Sequence, residues 1–164
     1  MPSEKEVYAA HAKEYERLIQ REDYQGNILK EIELLLRLDG LNVADLGAGT
    51  GRVSGLLAPQ VNFVHAFDSS AHMLAQAADS LEALGLNNWK TTVADHRKIP
   101  LDDESVDLVI SGWSFCYLAV WGGEGWRNAL EAGLAEIERI LKPGGTAIIL
   151  ETQGTGVVDP APPA

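Results

Sequence analysis

The residue types that could do chemistry are concentrated in one stretch, Ala44-Asp45-Leu46-Gly47-Ala48-Gly49-Thr50-Gly51-Arg52-Val53. An apolar run ends at an acid, three glycines follow at alternate positions, and a helix-like segment begins at once. Glycine permits the tight turn and lets a ligand approach the backbone closely. The helix that follows offers its first amides to a negative or polar group. A second acid, Asp68, closes the next apolar run. A carboxylate at that place accepts hydrogen bonds from two adjacent ribose hydroxyls, so the two features together point to a nucleotide-like ligand rather than an ordinary strand-to-helix turn.

The spacing bears on which nucleotide. The dinucleotide fingerprint G-x-G-x-x-G needs its third glycine two residues beyond the second. That position is Arg52 here, and the third glycine comes one residue early, at Gly51. Asp68 suits nicotinamide and adenosyl ligands alike. Asp45, inside the strand-end motif, suits a ligand with an ammonium group better than one with a pyrophosphate.

The elements that must position these residues are legible in the apolar pattern. Val7, Tyr8, His11, Tyr15, Leu18 and Ile19 share one helical face, and Ile28, Leu29, Ile32, Leu35 and Leu36 another, which predicts two opening helices. Short apolar runs predict strands over 41–46, 62–67, 90–94, 106–110 and 146–150. Helices are expected over 51–58, over 70–84 with Met73, Leu74, Ala77, Ala78, Leu81 and Leu84 on one face, and from Trp126 to a stop at Lys142-Pro143-Gly144-Gly145. Strands alternating with helices predict an α/β, doubly wound, mostly parallel sheet with helices on both faces. In such a sheet the ligand lies beyond the carboxyl ends of the strands, where Asp68, Asp95 and Ser111-Gly112-Trp113 all fall.

VADLGAGTGR, followed by VHAFDSSAHML, VADHRKIPLDDESVDLVISG and LKPGGTAIILET, resembles the class I S-adenosylmethionine-dependent methyltransferase family in order and spacing from about Leu41 to Thr152. The resemblance implies a Rossmann-like sheet of order 3-2-1-4-5 and S-adenosyl-L-methionine as cofactor. It implies that Asp45, Gly47, Ala48, Gly49 and Gly51 surround the methionine part and that Asp68 holds the ribose hydroxyls. Ser69 and Met73 would flank the adenine, Asp95 would face its exocyclic amine with His96 beside it, and Ser111, Gly112 and Trp113 would line the floor towards the methyl group. The opening helices, residues 1–38, would cap a core of residues 41–152, with Tyr15 nearest the cofactor.

Methyl transfer is an in-line displacement from a good leaving group, so holding and drying the reactants can supply much of the catalysis. Where an acceptor needs a base, His96, His11 and Tyr15 are the candidates. His65 alternates with apolar neighbours and reads as a packed histidine, His72 as an exposed helix-start residue, and Asp102-Asp103-Glu104 as a solvated turn. Trp113, Trp121 and Trp126 cluster after strand four as an aromatic wall for substrate or as packing for the long helix.

The formal net charge of -11, from 13 Lys and Arg against 24 Asp and Glu with no basic patch, favours a small-molecule acceptor over nucleic acid or a membrane surface. The single Cys116 fits a reduced, cytoplasmic setting, and no signal-peptide or membrane-span pattern is seen. The resemblance also implies a further helix and a β-hairpin after strand five, whereas residues 153–164 form a Pro- and Gly-rich tail. Strand five is then expected to present an apolar edge. A truncation of a longer protein is the favoured reading, with self-association through that edge or a shortened binding domain as the others. The functional alternatives are a noncatalytic S-adenosylmethionine-binding module and, more weakly, an NAD-dependent oxidoreductase.

Overall fold

The structure is a computed structural model that describes Asp23 and residues 25–152. The first opening helix, with His11 and Tyr15, and the tail after residue 152 lie outside the described residues. Five parallel strands form one sheet of order β3-β2-β1-β4-β5, as the resemblance implied. They are β1 (Asn42–Leu46), β2 (Phe63–Asp68), β3 (Trp89–Val93), β4 (Val106–Gly112) and β5 (Leu141–Leu150). The helices are α1 (Asn27–Leu35), α2 (Arg52–Leu57), α3 (Ala71–Ala83), α4 (Tyr117–Val120) and α5 (Trp126–Ile140).

Alternation along the strands sends side chains to two cores. Val43, Val64, Ala66, Leu108 and Ile110 meet Ile32 of α1, Val53 and Leu57 of α2, and Leu74 and Leu81 of α3. Ala44, Leu46, Phe67, Val106 and Val109 meet Ile137 and Ile140 of α5 on the other face. Near-complete burial on both faces is why these strands read as apolar runs rather than as alternating ones. No helix joins β3 to β4; residues 94–105 instead run across the second face, where Ile99 and Leu101 enter its core.

That connection is held by one side chain. The five guanidinium N–H groups of Arg139 donate to the carbonyls of Ile99 and Leu101, to Asp103 Oδ1 and to both carboxylate oxygens of Glu136, at 2.8 to 2.9 Å. Glu136 also accepts from the Ile99 amide at 2.8 Å. The turn expected to be solvated at Asp102–Glu104 is therefore exposed but anchored through Asp103.

Two boundaries differ from expectation. β5 reaches back to Leu141, because Val106 pairs with Leu141 and Leu108 with Thr146, leaving residues 142–145 bulged out of the ladder. Lys142 Nζ grips Asp107 Oδ1 at 2.8 Å across the bulge, so the apolar pattern began only after it. Leu84, expected on the buried face of α3, is 54% exposed because the helix ends at Ala83. His65 packs between the Phe63 and Phe67 rings, and His72 is exposed. Among the described residues no helix is long and apolar enough to cross a membrane.

Candidate functional site

A cavity of about 600 Å³ opens at the carboxyl ends of β1, β2 and β4. That lies within the roughly 300–1,000 Å³ of small-molecule sites. Asp45, Gly47, Ala48, Gly49, Asp68, Ser69, Met73, Asp95, His96, Gly112 and Trp113 all line it. Gly51 and Ser111, expected in the same wall, stand behind it.

The loop after β1 is shaped by local contacts. The amides of Gly47 and Ala48 both donate to the Phe67 carbonyl at 2.8 Å, which locks the loop to the end of β2. Gly49 has φ 56°, and a Cβ there would meet nothing within 4 Å, so its backbone faces open space. Gly51 has φ 89°, and a Cβ there would lie 3.0 Å from Ala77 Cβ. Its smallness lets α2 and α3 approach, which explains its place outside the cavity.

Asp45 points from β1 towards α2 and is 1% exposed. Oδ2 accepts from Ser54 Oγ at 2.6 Å, while Oδ1 is buried without a partner among the described residues. Burial pushes its pKa up to about 6, against the opposing hydrogen bond from Ser54. An orphaned buried carboxylate oxygen at a cavity wall calls for a donor, and an ammonium group supplies one. Asp68 accepts from the Gly49 amide through Oδ2 at 2.9 Å and from the Ser70 amide through Oδ1 at 2.8 Å. Each carboxylate oxygen keeps a second acceptor position, enough for a diol. The donor set of a ribose and an amino-acid head group therefore fits what Asp68 and Asp45 can accept. Ser70, the N-cap of α3, holds the Met73 amide and with it the buried thioether at the cavity wall.

Asp95 is committed to Arg97, whose side chain bonds both its oxygens at 2.7 Å and holds the carboxyl below its ordinary range. His96 follows it into the cavity, its pKa lowered chiefly by burial. The opposite wall is aromatic. Trp113, at φ 54°, carries the Arg52 guanidinium 3.9 Å from its ring centroid. Tyr117 and Trp121 stack at 4.4 Å. Trp121 lines the cavity and Trp126 does not.

Three side chains of this neighbourhood carry no sequence signal of their own. Ser54 holds Asp45, Ser114 sits between Ser111 and His96, and Arg52, read only as a missing glycine, covers Trp113. For Ser114 the one hint was a second serine three residues after Ser111.

Residues 44–149 match the methyltransferase-domain family. The chain is 33% identical over 129 residues to a malonyl-[acyl-carrier protein] O-methyltransferase of Marinomonas sp., covering 77% of this chain and 44% of that protein. It is 34% identical over 114 residues to the ubiquinone/menaquinone biosynthesis C-methyltransferase UbiE of Rubrivivax gelatinosus, covering 68% of this chain and 39% of that one. A solved structure from Methanococcus maripaludis, described as an S-adenosyl-L-methionine-dependent methyltransferase, superposes with a TM-score of 0.74 at 27% identity, over 91% of this chain and 66% of that one. The chain thus spans less than half the length of the curated relatives it matches. With the family match running from the glycine loop through β5, the chain belongs to the class I S-adenosylmethionine-dependent methyltransferase family.

Proposed function

We propose that the cavity binds S-adenosyl-L-methionine and that the protein transfers its methyl group to a small-molecule acceptor. The observation that carries this reading is the buried, half-partnered carboxylate of Asp45 behind an open glycine loop that Asp68 ties to β2. Asp45 would meet the ammonium group, Asp68 the ribose hydroxyls, and the buried Met73 the face of the adenine. Gly47, Ala48 and Gly49 would leave room beside the methionine part, and Ser69, Asp95 and His96 would border the adenine end. Gly51 and Ser111 would act from behind, by shaping the walls.

When bound, the cofactor supplies a methyl group on a sulfonium, already activated towards attack. The chain's task is then to align an acceptor with that group and to keep water out. Trp113, Tyr117, Leu118 and Trp121 form the wall an acceptor would meet, which suits a flat or apolar molecule.

The experiment is calorimetric titration of the 164-residue chain with S-adenosylhomocysteine, with NAD in parallel and Asp68→Ala as control. Binding of S-adenosylhomocysteine alone, lost in the variant, is expected. Binding of NAD instead, or no binding by a cooperatively folded chain, would overturn the reading.

A further inference from the structure

The aromatic wall of the cavity carries a cation. Arg52, the first residue of α2, sets its guanidinium 3.9 Å from the centroid of the Trp113 ring, and both residues line the cavity. Three features of the backbone build this placement. Gly112 comes so close to α2 that a Cβ there would lie 3.0 Å from Val53 Cγ2. Trp113 then takes a left-handed φ of 54°, which is costly for a bulky residue and persists where the surroundings enforce it. Its amide donates to the Leu150 carbonyl at 2.7 Å, tying the turn to the end of β5.

Charge around the cavity is divided. Among the described residues its acids are Asp45, Asp68 and Asp95, which fall at or just beyond the ends of β1, β2 and β3 on the side assigned to the cofactor. Asp45 is bonded by Ser54, Asp68 takes two loop amides, and Asp95 is gripped by Arg97, the other arginine of the lining. The opposite wall comes from residues 112–122, and none of those that line the cavity is charged. A positive group beside an uncharged aromatic wall, in a chain of net charge -11, is complementary to an anion with an apolar body.

The form of the cation narrows the anion. A guanidinium is a planar fork of five N–H donors, and two of them match the two oxygens of a carboxylate. At 3.9 Å the group meets the indole through its face, while the N–H groups lie around its edge. The bound cofactor would bring a sulfonium of the same sign towards this wall, so the two positive groups together favour a negative acceptor over a neutral or cationic one.

We propose that Arg52 is a specificity-determining residue that binds a carboxylate of the methyl acceptor, which makes the acceptor an apolar molecule carrying an acid group. The inference deepens the methyltransferase reading and rests on it for the identity of the reaction. Trp113 holds the guanidinium in place, and the carboxylate decides which end of the molecule lies beside it. Tyr117 and Trp121, stacked at 4.4 Å on the same connection, receive the apolar body. An amide in place of the carboxylate gives up the charge-assisted pair.

The test uses matched acid and amide pairs: benzoate and benzamide, 2-naphthoate and 2-naphthamide, hexanoate and hexanamide. Each is titrated into the ¹⁵N-labelled chain at pH 7.5 and constant ionic strength, with and without S-adenosylhomocysteine, and read from the indole N–H signals, Trp113→Phe assigning that of Trp113. In at least one pair the acid is expected to bind more tightly than the amide by about tenfold and to move the Trp113 signal. Arg52→Gln is expected to abolish the difference, and Arg52→Lys, which keeps the charge and loses the fork, to reduce it severalfold. No preference for the acid in any pair would overturn the inference. So would a preference that persists undiminished in folded Arg52→Gln, an outcome that transfers the role to Arg97. Should Arg52→Gln not fold, an undiminished preference in Arg52→Lys overturns it instead. Calorimetry with S-adenosylhomocysteine on the wild type separates the two failures. Absent binding with the acid preference intact sinks the cofactor reading, and binding without any acid preference sinks only the role given to Arg52.

Discussion

The backbone amide of Gly49 donates to Asp68 Oδ2 at 2.9 Å, so the acid at the end of β2 shapes the loop that leaves β1. Asp68 accepts the Ser70 amide as well, and a substitution there acts on two loops at once. Asp68→Asn keeps one acceptor and turns an NH₂ group towards an amide donor. We expect it to weaken S-adenosylhomocysteine binding by about tenfold to a hundredfold and to cost about 1–2 kcal/mol of stability. Calorimetry and urea unfolding measure the two effects separately, and unaltered affinity in a folded variant contradicts the role given to Asp68.

Asp45 makes stability depend on pH in a direction opposite to most carboxylates. Its folded-state pKa of about 6 lies above the ordinary 3.8, so the folded chain binds the extra proton between those values. Stability from this group is complete below about pH 4 and declines as pH rises to about 6, by about 3 kcal/mol in all. Asp45→Asn should flatten that part of the profile and raise the ligand-free unfolding midpoint at pH 7.5 relative to the wild type. Parallel urea titrations at pH 4.5 and 7.5 check this, and identical slopes in both proteins count against it.

Two of the three loop glycines, Gly49 and Gly51, should separate binding from folding. Gly51→Ala places a methyl against Ala77 at a positive φ and should destabilise the fold by about 2 kcal/mol or more. Gly49→Ala meets open space, so its folding cost is about 1–2 kcal/mol from the backbone alone, while its methyl intrudes on the cavity. At least a tenfold loss of S-adenosylhomocysteine affinity is expected for Gly49→Ala. A reversed ranking, with Gly51→Ala the milder for folding, would mean that α2 and α3 can separate.

Arg139→Lys should show that shape matters more than charge. Lysine offers three donors from a point where arginine offers five in a plane, so the Ile99 and Leu101 carbonyls cannot both be served. A loss of about 2 kcal/mol is expected, reduced from the buried value because the side chain is 30% exposed. Equal unfolding midpoints would show the segment 94–105 to be held by Ile99 and Leu101 alone.

Most of the sheet was legible because parallel strands buried on both faces must be apolar throughout and must end at loops. The strands themselves, the glycine loop and the strand-end acids Asp45, Asp68 and Asp95 were readable for that reason, while the order of the strands in the sheet came from the family resemblance. Ser54, Ser111 and Ser114 were not readable as a set, since a serine leaves no periodicity and its role arises only when β1, α2 and the loop after β4 come together. The same holds for Arg52. Its apposition to Trp113 depends on a left-handed backbone at residue 113 that no local residue type announces. The backward reach of β5 was hidden by Pro143 and two glycines, which signal a stop while the ladder passes around them.

The cavity is a patchwork of loops borne by different strands, and that division has an evolutionary consequence. The wall assigned to the cofactor comes from the ends of β1, β2 and β3, whereas Trp113, Tyr117 and Trp121 come from the connection between β4 and α5. A lineage can rewrite the second set without disturbing the first, exchanging one acceptor for another while inheriting the methyl donor unchanged. That separation accounts for how relatives that methylate oxygen in one case and carbon in another align with the same stretch of this chain.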